Sequence, residues 1–143
     1  YKKAKLLELD KLVNQISKEF SLQYTAMLPD NITPTQYFLL NLINDRDCKA
    51  ADIAEIFHIS PAAASNMVER LYKNNWIERT RSEKDRRIVW LKLNKNGKEL
   101  LEKVEKIRIE MQVERFKNIN DEELDILLSI LKKLLHDSGG KNN

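Results

Sequence analysis

CKAADIAEIFHISPAAASNMVERLYKNNWIERTRSEKDRRIVWLKLNKNG, residues 48–97, decides how this chain folds. Between Ala50 and Phe57, the apolar residues Ile53, Ala54 and Phe57 recur at helical spacing. His58-Ile59 reads as a tight turn. Ser60 then offers an N-cap oxygen, and Pro61 suits a first helical position, where no amide is needed. The helix it opens is expected to reach about Asn75, with Ala64, Met67, Val68 and Leu71 inward and Asn75 ending it in a left-handed conformation. Trp76-Ile77 and Ile88–Leu93 read as short strands, because Val89, Leu91 and Leu93 alternate with Trp90 and Lys92. The charged segment between them is expected as a hairpin loop. Asn94-Lys95-Asn96-Gly97 is expected to break the chain again. Two short helices, a tight turn and a charged hairpin make a shape that fits duplex DNA.

Outward from this stretch the pattern is helical. Leu6, Leu9, Val13, Ile16, Phe20, Tyr24 and Met27 fall on one face of a helix that stops before Pro29. Thr33 and Pro34 start another, with Phe38, Leu39, Leu42 and Ile43 as its apolar side and Asn44-Asp45 as its end. A long helix after Gly97 carries Leu100, Val104, Ile107 and Met111. Asn120 caps a last one, with Glu123 at the capping-box position and Leu124, Leu127, Leu128, Leu131, Leu134 and Leu135 along one side. The tail from Asp137 onward is expected to fray. The spacing of Leu6, Leu9, Val13 and Ile16 is nearly that of a coiled coil. That face must pack on the body of the chain or on a partner.

At 143 residues, with 42% hydrophobic and 33% charged, the chain has the make-up of one charge-rich helical domain spanning residues 1–143. The formal net charge is only +3. Residues 78–92 alone hold six cations against three anions, so the hairpin concentrates as much positive charge as the whole chain carries. A single cysteine excludes an internal disulfide, and no apolar run reaches a membrane span of about 20 residues, so a cytoplasmic protein is expected. Three glycines, Gly97, Gly139 and Gly140, form no phosphate-binding loop, and Ser60 is engaged as a cap, which argues against an enzyme. His58 and His136 lie far apart with no ligand-spaced partner, which argues against a zinc site and leaves no cofactor expected.

The leading turn of a helix placed in a major groove needs small or hydrogen-bonding residues. Pro61, Ala62, Ala63, Ser65 and Asn66 meet that demand. Asn66 has the donor and acceptor for an adenine edge, Ser65 suits a base or phosphate, and the alanines suit a thymine methyl. Arg70, one turn on, is a candidate phosphate clamp, and Lys49 is counted with the same surface. Arg79, Arg81, Lys84, Arg86 and Arg87 crowd the hairpin. A narrow minor groove attracts an inserted arginine, and Asp85 is placed to hold Arg87 for that purpose.

Taken together, ADIAEIFHIS, PAAASNMVERL, NNWIERT and DRRIVWLKLNKNG resemble the MarR-type winged helix-turn-helix regulators over nearly the whole chain. Asp85, Arg87, Leu93 and Gly97 match the family's wing and its ending. Ala62, Ala63, Asn66 and Asn94 depart from it, which bears on the operator sequence rather than on the fold. The resemblance implies a mainly α fold with a small β wing. It implies a winged-helix lobe over residues 34–95 and dimerisation helices over 1–28 and 97–136. It also implies a homodimer on a pseudo-palindromic duplex, with Arg87 in the minor groove and Ser60–Asn66 facing the major groove. A repressor is expected, on an A·T-rich site. Relatives of this kind bind small phenolic or lipophilic compounds, and Phe20, Tyr24, Tyr37, Phe38 and Met111 are the candidate lining here. Two alternatives stay open: a winged-helix module that binds protein rather than DNA, and a redox sensor acting through Cys48, with Arg46 and Lys49 lowering its pKa.

Overall fold

The computed structural model describes residues 1–139. The elements are α1 (Lys2–Met27), α2 (Pro34–Asp45), α3 (Ala50–Phe57), α4 (Pro61–Lys73), β1 (Ile77–Arg81), β2 (Val89–Leu93), α5 (Lys95–Arg115) and α6 (Asp121–Gly139). They divide into two compact units, one spanning Tyr1–Glu105 and the other beginning at Lys106, within α5.

In the first unit, local chemistry sets the helix boundaries. Pro29 stops α1, and Asp30 and Asn31 turn the chain with φ of 57° and 59°, a region that Asp and Asn tolerate better than most residues. Thr33 Oγ1 accepts from the Gln36 amide at 3.1 Å, while Gln36 Oε1 accepts from the Thr33 amide at 3.0 Å. This capping box satisfies two donors that α2 leaves free. His58 adopts φ 53° to end α3, and the Ile59 amide reaches back to the Ala54 carbonyl at 3.0 Å. Ser60 Oγ accepts from the Ala63 amide at 3.1 Å, which starts α4 after a two-residue turn. Asn75, at φ 62°, reverses the chain so that the Trp76 amide reaches the Leu71 carbonyl at 3.2 Å.

The hairpin pairs β1 with β2 antiparallel, Ile77 opposite Leu93, Arg79 opposite Leu91 and Arg81 opposite Val89. The strand expected at Trp76-Ile77 therefore runs further, through Glu78–Arg81, and the charged loop is correspondingly shorter. Arg79 and Arg81 belong to the ladder because their backbone pairs with β2. A third segment joins at its edge: the Leu91 amide donates to the Cys48 carbonyl at 2.8 Å. The expected break at Asn94–Gly97 is one residue long. Asn94 Oδ1 accepts from the Gly97 amide at 2.8 Å and so caps α5, whose first turn holds residues 95–97. Gly97 is needed for a different reason: a Cβ there would lie 2.2 Å from the Trp76 carbonyl oxygen.

The core of this unit joins Leu39, Leu40 and Ile43 of α2 to Ile53, Ala64, Val68 and Leu71 of the helix pair. Ile77, Leu91 and Leu93 of the hairpin and Leu100 and Val104 of α5 complete it. α1 contributes no buried residue. Leu6, Leu9, Val13 and Ile16 remain 47–53% exposed along it.

The second unit holds the rest of α5 and α6. Asn120 Oδ1 accepts from the Glu123 amide at 2.8 Å and Glu123 Oε1 from the Asn120 amide at 3.1 Å, the expected capping box. Leu127, Leu128, Leu131, Leu134 and Leu135 are 37–73% exposed, and Leu124 is half-buried. Of the tail expected to fray, Asp137–Gly139 belong to α6, and the remainder lies outside the described residues. No helix among the described residues is long and apolar enough to cross a membrane.

Candidate nucleic-acid interface

Ser60 and Pro61 set where α4 begins, and burial of Ala64, Val68 and Leu71 sets which way it faces. The opposite side carries Pro61, Ala62, Ser65, Asn66 and Arg70 exposed, with Ala63 half-buried. Small residues occupy the first turn, so a groove floor can approach the backbone closely. Ser65 and Asn66 make no side-chain hydrogen bond among the described residues, which leaves their donors and acceptors for a ligand. The Ser60 oxygen is already committed to capping. Arg70 borders a cleft of about 330 Å³ with Thr33, Thr35 and Gln36 at the start of α2.

The hairpin tip is built around Asp85. Ser82 Oγ accepts from the Asp85 amide at 3.2 Å, which fixes the turn. The Asp85 carboxylate accepts from Arg87 Nε at 3.0 Å, Arg87 Nη2 at 3.1 Å and the Arg87 amide at 3.1 Å. This two-pronged grip leaves the Arg87 side chain 90% exposed. Hydrogen bonds from Arg87 hold the Asp85 carboxyl below its ordinary value, and the same contact pushes the Arg87 guanidinium up. Arg87 is thus a projecting cation with a fixed direction. Lys84 and Arg86 are exposed beside it.

The other basic residues of the hairpin are used internally. Arg79 was expected to face DNA, but it donates to Glu69 of α4 and lies 4.5 Å from the Tyr72 ring centroid. Strand alternation puts it on the same sheet face as buried Ile77. Arg81 follows on that face and donates to the Arg86 carbonyl, bracing the loop. Lys49 is half-buried with its ammonium 5.9 Å from the Trp90 ring centroid. Lys92 pairs with Asp47 at 2.6 Å. Glu69, Tyr72 and Asp47 escaped the sequence reading. The alternation of Ile77, Arg79 and Arg81 was the available signal for the first two.

Four of the five residues expected to line an effector crevice, Phe20, Tyr24, Tyr37 and Phe38, lie in the first unit. Tyr24 and Tyr37 meet edge to face at 6.1 Å, and Tyr37 is buried. Phe38 instead packs against Phe57 at 5.7 Å and is half exposed. Adjacent helix positions point about 100° apart, so Tyr37 and Phe38 serve different surfaces. Phe20 is half-buried in the first unit, and Met111 belongs to the second. Cys48 is fully buried, and burial is the main cause that raises its thiol pKa, with Asp52 adding to it and Arg46 opposing more weakly. That environment disfavours the thiolate, the opposite of the lowering expected from Arg46 and Lys49. Among the described residues no three His, Cys, Asp or Glu side chains cluster as metal ligands.

Residues 32–89 match the model of the MarR family. YwhA of Bacillus subtilis (strain 168), described as an HTH-type transcriptional regulator, is 29% identical over 76% of this chain and 79% of its own. The structure of a MarR family protein from Bacillus stearothermophilus superposes with a TM-score of 0.82 at 22% identity, covering 96% of this chain and 97% of that one. A mutant MarR from E. coli complexed with operator DNA gives a TM-score of 0.66 at 24% identity over 92% and 96% of the two chains. These matches agree with the exposed leading turn of α4 and the Asp85-held Arg87. Over residues 32–89 the chain matches the MarR family, and along most of its length it is similar to winged helix-turn-helix regulators of transcription.

Proposed function

We propose that the protein represses transcription as a homodimer on a pseudo-palindromic duplex operator. The turn from Ser60 to Asn66 enters the major groove, and Arg87 enters the adjacent minor groove. The observation that carries this reading is the Asp85–Arg87 fork, because an arginine 90% exposed yet held by two prongs is preorganised for a narrow groove. Lys84, Arg86 and Arg70 supply phosphate contacts that set register without reading sequence. A protein of the same fold solved with operator DNA supports a duplex as the partner.

A dimer is supported by the apolar faces of α1 and α6, where Leu9, Val13, Ile16 and Leu131 are each about half exposed. Two-fold symmetry then places two α4 helices about one duplex turn apart, roughly 34–36 Å. Release by a small phenolic or lipophilic compound near Phe20, Tyr24 and Tyr37 is part of the proposal. Such a ligand acts only if it favours a lobe spacing that mismatches the operator.

The test is selection of bound fragments from random duplexes by the wild-type protein, followed by titration of variants. Arg87→Ala is expected to weaken operator binding by about ten- to hundredfold. Asn66→Ala is expected to cost about 1–3 kcal/mol at one base position and to relax preference there. Wild-type binding that is insensitive to salt between about 50 and 200 mM would instead support a protein-interaction module.

A further inference from the structure

We propose that Arg79 is a strut that sets the angle between α4 and the β1–β2 hairpin, rather than a ligand of DNA. The proposal rests on the operator-binding reading above and explains how its two reading elements are held in one geometry. Three observations carry it. First, strand alternation puts Arg79 on the face it shares with buried Ile77, with its side chain still 37% exposed. Second, its guanidinium engages two positions of α4 one turn apart, donating to Glu69 and stacking over Tyr72 at 4.5 Å. Third, beside the core that α4 and the hairpin share, the two elements diverge. A cleft of about 310 Å³ opens between them there, lined by Ser65, Val68, Glu69, Arg79, Val89 and Leu91 among others.

Packing alone fixes an angle only where surfaces touch, since dispersion falls off within about an ångström of contact. Beyond the shared core, at this cleft, the Arg79 side chain makes a further connection. A flat guanidinium bonded at its edge and stacked on its face resists both sliding and rotation, which an ammonium on a flexible stem does not. The major and minor grooves of one duplex lie at a fixed separation, so a hairpin free to swing would lose one contact while making the other. Glu69 supplies a second clue. It lies one turn after Ser65 on α4, and a carboxylate so near the reading surface repels phosphate. Its pairing with Arg79 gives that charge a purpose.

The experiment titrates a wild-type-selected operator duplex and an unrelated duplex against Arg79→Gln, Arg79→Lys, Glu69→Gln and the Glu69→Gln/Arg79→Gln double variant. Titrations run between about 50 and 200 mM salt, where phosphate contacts are most visible. Each single variant is expected to weaken operator binding by about three- to tenfold. The double variant should be no worse than Arg79→Gln, and Arg79→Lys should not rescue. Glu69→Gln is the sharpest arm, because removing a negative charge should strengthen binding to any duplex unless the strut matters more. The logarithmic salt slope of Arg79→Gln should equal that of the wild type. A slope lowered by about one, with additive losses and rescue by lysine, would make Arg79 a phosphate contact and overturn the proposal. A second arm needs no DNA: amide exchange across Thr80–Val89 should quicken in both Gln variants, and unchanged exchange also overturns the strut. If the wild type bound no duplex, the functional reading would fail while the exchange arm still decided whether Arg79 holds the hairpin.

Discussion

Over 13 residues α4 buries Ala64, Val68 and Leu71, whereas α1 runs for 26 residues without burying one. Both helices carry an apolar face at helical spacing, and both would be read from sequence as packing surfaces. The face of α4 is closed by α2, α3 and the hairpin through a shared core. Leu6, Leu9, Val13 and Ile16 of α1 stay about half exposed. The same periodicity therefore encodes two different things. In α4 it encodes the stability of a core, and in α1 it leaves an exposed face that the proposed dimer would cover. A hydrophobic stripe shows only that a surface must be covered, and what covers it is settled elsewhere.

Substitutions in the two helices should separate these roles. The largest effect is expected from the pair Val13→Glu and Ile16→Glu. Both positions are exposed in the single chain, so the lobe should keep its far-ultraviolet dichroism. Sedimentation should show a monomer, and operator affinity should fall by about a hundredfold or more as the second lobe is lost. A dimer that persists with unchanged affinity would break the comparison. Leu71→Ala acts on the other helix at a fully buried position, and chemical denaturation should show a loss of about 2–5 kcal/mol. Gly97→Ala tests the junction behind α4. A methyl group forced against the Trp76 carbonyl should cost about 1–3 kcal/mol in the same assay.

The smallest effect concerns pH. The Asp85 carboxyl lies below its ordinary value because Arg87 bonds the charged form. Its contribution is fully present above the unfolded-state pKa and is lost as pH falls through the lowered folded-state one. Exchange of the Arg87 Nε proton should stay slow from neutrality into mild acid and quicken below that. In Asp85→Asn it should be fast throughout. Slow exchange in that variant would show that the fork is not what orients Arg87.

Much of the fold was legible because its signals are local. Ser60 with Pro61, Asn75, and Asn120 with Glu123 each act within a few residues, and the structure uses each as a cap or chain reversal. The exposed turn of α4 followed from the same signals, since burying Ala64, Val68 and Leu71 leaves Ser65 and Asn66 outward. What escaped depends on register. The length of β1 is set by its pairing with β2, and Glu78–Arg81 looks like loop until that partner is known. The fate of Arg79 depends on Glu69, ten residues earlier on another element. Gly97 read as a breaker because glycine often is one, yet the reason it is needed lies in the carbonyl of Trp76. The contact of Phe38 with Phe57 joins two helices, so neither residue's own surroundings announce it.

Cys48 gives the molecule a built-in clock. It is the only thiol in the chain, it has no exposed surface, and its own carbonyl tethers β2. A thiol reagent can reach it only when the lobe opens, so the labelling rate reports that opening event directly. Operator duplex should slow the labelling if it clamps the lobe shut, and no engineered probe is required to see it.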